Sequence, residues 1–151
     1  FGGGLQLALG ADIRFVSPDT QMSVLEIKWG LVPDMAGMVL MRHLLRDDIA
    51  RALTYTGRMV GAEEAVRIGL ATQVSDDPLT SAREMARTIA SKSPSAIRAG
   101  KRLFNASSQI LDESAAALLM RESIEQAALI GSADQLESVR ANLEKRPARY
   151  H

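Results

Sequence analysis

The chain of 151 residues, 46% hydrophobic and 24% charged, is long enough to bury one globular core. Its 18 basic and 18 acidic side chains cancel, which argues against nucleic acid or a charged membrane surface as the main partner. Cysteine is absent, which excludes disulfides, thiolate metal sites and cysteine nucleophiles and fits a cytoplasmic protein. No apolar run approaches membrane-spanning length and no signal peptide is visible. Because it begins with Phe1 inside a motif, the chain is expected to be a fragment.

The first element is a glycine triplet, Gly2-Gly3-Gly4, running into a helical pattern over Leu5 to Ala11. Successive glycines let the backbone turn tightly and leave amide N–H groups uncovered, and the helix points its positive end at the same place. Such a start can hold an oxyanion or a phosphate, or it can simply allow close packing. Alternation over Asp12 to Val16 predicts a half-buried strand, Ser17-Pro18-Asp19 a turn, and Gln21 to Leu25 a second strand. Pro33 to Gly37 reads as a loop, followed by helical segments through Leu45 and over Asp47 to Thr56, the second ended by Gly57. A further helix starts at Gly61, with Glu64 placed for a capping box and Gly69 past its end, and a strand covers Ala71 to Ser75.

After Pro78 the pattern is helical throughout. Leu79, Ala82, Met85, Ala86 and Ile89 share one stripe. Ser93-Pro94 caps the next helix, whose stripe is Ala96, Ile97, Gly100, Leu103 and Phe104. An alanine-rich helix is expected over Asp112 to Ile130, and Ser132 to Gln135 forms a capping box before Leu136, Val139 and Leu143. The reading is an α/β segment over 1–77 and a helical array over 78–151, with no internal repeat. The apolar stripes are expected to serve core or subunit packing.

His43 and terminal His151 are the only histidines, so a Ser-His-Asp triad or a histidine-rich metal site is not expected. Leu7 stands where a dinucleotide fingerprint needs its third glycine, and no P-loop lysine follows. Arg14, Arg42, Arg46 and Arg51 read as surface or interface charges. The acids worth attention are Glu26 and Asp34, which flank the turn Gly30-Leu31-Val32-Pro33.

Taken together, the glycine triplet, Glu26 with its turn, Leu53-Thr54-Tyr55-Thr56-Gly57-Arg58, Ala62-Glu63-Glu64-Ala65, Gly69-Leu70-Ala71 and the ending Leu143-Glu144-Lys145-Arg146-Pro147-Ala148-Arg149-Tyr150 resemble the enoyl-CoA hydratase/isomerase (crotonase) superfamily. The resemblance covers essentially the whole chain and corresponds to the C-terminal part of a crotonase domain. It implies a crotonase-like (ClpP/crotonase) ββα spiral followed by a helical trimerisation region, assembled as a homotrimer or a dimer of trimers. It also implies an acyl-CoA substrate, with no cofactor beyond its coenzyme A moiety and no metal.

Residue by residue, Gly3 matches the glycine whose N–H helps hold a thioester enolate in the oxyanion hole. Glu26 matches the second catalytic glutamate of hydratases. Gln6 stands where the first would be; an amide can position water but cannot take its proton. Asp34 stands where hydratases usually have glycine and dienoyl-CoA isomerases carry an aspartate. Those isomerases also have an aspartate at the Gln6 position, so that match is partial. Simple enoyl-CoA isomerases manage with the single acid at the Glu26 position. Val24, Leu25, Trp29, Leu31 and Met35 are candidates to line an apolar pocket around that acid. Trp29 is equally open to plain packing, and Lys145 either reaches coenzyme A phosphates or is a solvated lysine. The expected activity is a double-bond shift in an enoyl- or dienoyl-CoA. The alternatives are hydration of a 2-enoyl-CoA and, from another class, a non-catalytic acyl-CoA-binding or assembly subunit.

Overall fold

The computed structural model describes residues 1–90, 94–107 and 115–149. The Ser93 cap, the Asp112 start of the alanine-rich helix and Tyr150 lie outside the described residues. Helix α1 (Gly3–Leu9) begins directly behind Gly2 and buries Leu5, Gln6 and Leu9, so a polar residue shares its inner face with two leucines. It packs against α2 (Gly37–Met41), which is shorter than the segment expected to reach Leu45. Beyond Met41 the chain tightens into turns in which His43 N–H bonds Leu40 O at 3.3 Å and Leu44 N–H bonds Met41 O at 2.9 Å. Leu45, whose N–H still bonds Met41 O at 2.9 Å, belongs to the core.

The strands are shorter than the alternation predicted. β1 (Phe15–Val16) pairs in parallel with β4 (Gln73–Val74), and β2 (Gln21–Met22) pairs antiparallel with β3 (Val60–Gly61). At the first strand the ladder starts late because the Arg14 N–H goes to the Thr72 hydroxyl at 3.1 Å instead of to a backbone carbonyl. The second strand ends at Met22, beyond which the Ser23 carbonyl accepts the Gly2 N–H at 3.1 Å, and Leu25 is already in a helical conformation, φ −93°, ψ −1°. Directly after Leu25 the chain makes a single 3-10 turn, Glu26–Trp29, which the sequence did not announce.

Helix α3 (Asp47–Thr56) has Asp47 and Asp48 in its first turn, where the helix dipole favours them, and ends at Gly57 as expected. Helix α4 (Ala62–Ile68) starts where expected, but Gly61 has no side chain to complete a capping box. Glu64 instead receives the Arg58 guanidinium at 2.7 and 3.0 Å. At the far end Gly69 has φ +97°, and a Cβ there would sit 2.3 Å from the Leu44 carbonyl oxygen. Gly69→Ala combines a left-handed backbone with a collision against main chain. It is expected to lower stability by about 2–4 kcal/mol, read as a fall in the melting temperature of the folded protein.

Arg14 corrects the expectation of a surface charge. It is only 9% exposed, and its guanidinium donates to Leu70 O (2.7 Å), Ala11 O (2.5 Å) and Gly69 O (3.4 Å). It ties together the chain just after α1 and just after α4, where carbonyls lack helical partners. Burial lowers its pKa, with Asp12 opposing that shift.

Helix α5 (Pro78–Ala90) packs on β1, and α6 (Pro94–Ser107) is tied by a Lys101–Asp12 ion pair to the chain after α1. Helix α7 (Ala115–Leu129) lies against α2, and α8 (Ala133–Glu144) lies against the 3-10 turn. Ser132 caps α8 by accepting the Gln135 N–H at 3.2 Å. The returning half of the box shifts by one residue: Gln135 Oε1 takes the Gly131 N–H, because the Ser132 N–H already bonds Leu129 O. After α8 the tail folds back. Glu137 takes Arg146 at 2.6 and 3.1 Å and the Arg149 amide at 2.8 Å, which pull its pKa down to about 2.

The core gathers Leu5, Leu9, Val24, Met41, Leu53, Val60, Leu70 and their neighbours from 1–77. Several large apolar residues of the helical array stay more than half exposed, among them Leu79, Phe104, Met120, Ile124 and Leu143. Among the described residues no helix is long and apolar enough to cross a membrane.

Candidate active site

Gln6 is the organising residue. At 4% exposure it sits on the first turns of α1 and faces the 33–37 loop. Its Oε1 accepts the Met35 N–H at 2.8 Å and the Gly37 N–H at 3.0 Å. Two backbone donors on one oxygen fix which way the amide points, because the flipped form would set NH₂ against N–H. Its Nε2 is thereby turned toward Glu26 and donates to Oε1 at 2.6 Å. The arrangement needs close contact: a Cβ on Gly37 would lie 2.7 Å from Pro33 Cβ and 2.8 Å from Gln6 Oε1.

Glu26 opens the 3-10 turn, and its carboxylate reaches back toward the start of α1. Its Oε1 lies 3.5 Å from where a Gly2 side chain would begin. The Gly2 N–H bonds Ser23 O at 3.1 Å, fastening the glycine start to the segment that carries Glu26. The other carboxylate oxygen, Oε2, is buried and has no hydrogen-bond partner. A buried anionic oxygen without a partner is costly in a resting protein and useful where a ligand brings a proton to it. The site therefore has one carboxylate, held at one oxygen by a neutral amide and uncommitted at the other.

Gly3 supplies the first N–H of α1, and among the described residues that N–H has no backbone acceptor. The Met35 Sδ stands 3.0 Å from where a Gly3 Cβ would be, so the loop bearing Met35 closes beside this amide. Gly3, Gln6, Glu26 and Met35 are thus brought together. Asp34 lies on the same loop but is exposed, and no hydrogen bond joins it to Glu26. Leu31 is half-buried and its N–H bonds Glu26 O at 3.1 Å. Trp29 is 36% exposed at the end of the turn, with the Lys28 ammonium 5.3 Å above its ring. Lys145, exposed and in a left-handed conformation with φ 53°, caps α8. Of the expected pocket lining, Val24 belongs to the core instead.

A cavity of about 440 Å³ opens between α2 and α3, lined by Met38, Met41, Leu45, Ala50 and Thr54 with Arg42 and Arg51 among its polar walls. None of the residues expected from sequence to form the site lines it. His43 is exposed and accepts from Arg42 at 3.0 Å, apart from the carboxylate. Among the described residues no group of three or more His, Asp or Glu is placed to hold a metal. The contributions missed by sequence reasoning are the Met35 and Gly37 amides and the packing of α8 on the Glu26 turn. Gly30 alone carried a signal of that packing, as a glycine at the end of a short turn.

Comparison with known proteins establishes the family and the fold. The family profile for enoyl-CoA hydratase/isomerase matches residues 1–151. Carnitinyl-CoA dehydratase of Salmonella typhi is 34% identical over 149 residues, which are 97% of this chain and 57% of that protein. The chain superimposes on an enoyl-CoA hydratase/isomerase from Pseudoalteromonas atlantica T6c with a TM-score of 0.87 at 29% identity, covering 99% of this chain and 60% of the other. A carnitinyl-CoA dehydratase from Mycobacterium avium 104 gives 0.87 at 28% identity, covering 99% and 59%. The chain belongs to the enoyl-CoA hydratase/isomerase family and has the crotonase fold. It spans somewhat more than half the length of the curated relatives it matches.

Proposed function

We propose that the whole protein shifts a double bond in an enoyl- or dienoyl-CoA, with Glu26 as the acid/base. The observation that carries this reading is the amide lock on Gln6, which leaves one carboxylate at the site with one uncommitted oxygen. In a 3-enoyl thioester, Glu26 Oε2 takes a proton from C2 and the electron pair passes into the thioester carbonyl. The resulting oxyanion is held by the Gly3 N–H, and the carboxylic acid returns the same proton to C4 as the C2–C3 double bond forms. One carboxylate suffices, since nothing is added or lost. Asp34 serves as the second acid/base when a dienoyl chain places the receiving carbon further away. Trp29, Leu31 and Met35 line the acyl path and Lys145 meets coenzyme A phosphates. Residues 1–77 carry the chemistry, and 78–151 cover the site and assemble the protein as a homotrimer or a dimer of trimers. The exposed apolar side chains of that array support the assembly.

A second reading is hydration or dehydration, favoured by the carnitinyl-CoA dehydratases among the relatives. Loss of water needs a proton for the departing hydroxyl, which Gln6 cannot give, so in this reading Glu26 acts largely alone and passes the proton it takes from C2 to the leaving hydroxyl.

The test follows thioester conjugation by ultraviolet absorbance with 3-enoyl-, 2,5-dienoyl- and 3,5-dienoyl-CoA beside 2-enoyl- and carnitinyl-CoA, using the whole protein. Double-bond movement without change of mass is the expected result. Gain or loss of water as the main reaction would replace it with the second reading.

A further inference from the structure

The 3-10 turn that carries Glu26 has only four residues and few internal hydrogen bonds, so its geometry depends on what holds it from outside. On one side stands the end of α3, where a Cβ on Gly57 would lie 2.9 Å from Ile27 Cγ2, and where Ser23 Oγ donates to Gly57 O at 2.7 Å. On the other side stands α8, far along the chain. Gly30 has φ +69°, and the space a side chain would need is filled by Ser138 Oγ at 2.8 Å and Gln135 Cα at 3.0 Å. Ser138 and Ala141 are buried in that contact.

A polar bond crosses the contact into the backbone of the turn. Asn142 Nδ2 donates to Lys28 O at 2.5 Å and also to Ser138 O at 2.9 Å. The Lys28 carbonyl is one of the acceptors that a short helix leaves open at its C-terminal end. Within the turn, Gly30 N–H bonds Ile27 O at 3.0 Å and Leu31 N–H bonds Glu26 O at 3.1 Å. The Lys28 carbonyl thus lies inside the loop of hydrogen bonds that sets where the Glu26 backbone stands.

We propose that Asn142 is a positioning residue for Glu26, acting through the Lys28 carbonyl. Asn142 touches neither the carboxylate nor the expected place of the substrate. It sets the pitch of the turn, and the pitch sets whether Glu26 Oε2 meets the reacting carbon while Oε1 stays on Gln6. A shift well below one helical rise suffices, because proton transfer depends steeply on distance and alignment. The inference rests on the proposed role of Glu26 for its kinetic consequence, and on geometry alone for its structural one.

Two variants of the whole protein test it. Asn142→Leu removes the donor, and Asn142→Asp keeps the shape while replacing the NH₂ by an acceptor. Both are expected to lower kcat about tenfold with KM within about twofold, and to speed amide hydrogen exchange at Gly30 and Leu31 about tenfold. A lower melting temperature with unchanged kcat per folded enzyme would show a merely structural role and overturn the proposal, as would wild-type kcat in both variants. Should the wild type turn over no acyl-CoA offered, the Glu26 reading fails separately. Exchange at Gly30 and Leu31 then decides alone: acceleration supports the hold on the turn, and unchanged exchange overturns it.

Discussion

Glu26→Gln is expected to lower turnover about 10³–10⁴-fold while leaving acyl-CoA affinity within about twofold. The substitution is close to isosteric, and a glutamine carbonyl at the Oε1 position still accepts the Gln6 amide that now donates at 2.6 Å. What changes is the other terminus. The buried Oε2 becomes an NH₂, which cannot receive a proton from carbon. Turnover on the preferred enoyl-CoA, beside calorimetric titration with a saturated acyl-CoA, separates chemistry from binding. Unchanged turnover would remove Glu26 from the chemistry. A wild type that bound acyl-CoA and converted none of the panel would leave the non-catalytic binding subunit as the surviving reading.

Gln6 is expected to give opposite results in its two informative variants. Gln6→Leu strips the acceptor from the Met35 and Gly37 amides and the donor from Glu26 in one step. Two stranded N–H groups beside a stranded carboxylate are expected to cost roughly 3–6 kcal/mol of stability, measured by denaturant unfolding, together with most of the activity. Gln6→Glu retains the acceptor for both amides but brings a second carboxylate oxygen to hydrogen-bond distance from Glu26. Two anionic oxygens that close do not both ionise, so the pair holds one proton up to higher pH than a lone carboxylate would. A base must be ionised to work. On acidification, isomerisation by Gln6→Glu is therefore expected to fade at a higher pH than in the wild type. A large gain in water addition by the same variant would mark the scaffold as a hydratase and count against the isomerase reading. An unmoved pH–rate profile would mean that the two side chains do not meet in the working enzyme.

Much of the helical punctuation was legible along the chain. Gly57, Gly69 and Gly131 each lie past the end of a helix in the left-handed conformation that glycine tolerates. Ser132 caps α8 through the bond its motif predicts. Strand lengths were not legible, since alternation over Asp12 to Val16 says which face is apolar but not where a partner strand ends. Arg14 was misread for a related reason. Arginine is usually exposed, and nothing near it in sequence reveals that the Gly69 and Leu70 carbonyls, more than fifty residues on, come within its reach. The helix expected to reach Leu45 stopped at Met41, where the His43 and Leu44 N–H groups turn to carbonyls three residues back.

The sequence by itself determined the family, the kinds of side chain at the site and the neutrality of Gln6, because these are properties of residue type and order. Only the tertiary structure decided that Gln6 points its Nε2 at Glu26, that Glu26 Oε2 is left without a partner, and that α8 seats on the turn carrying it. Each of these is a choice among hydrogen-bond partners across 20 to 114 residues of chain. Such choices follow from which surfaces the core brings together, and local propensity carries no record of them.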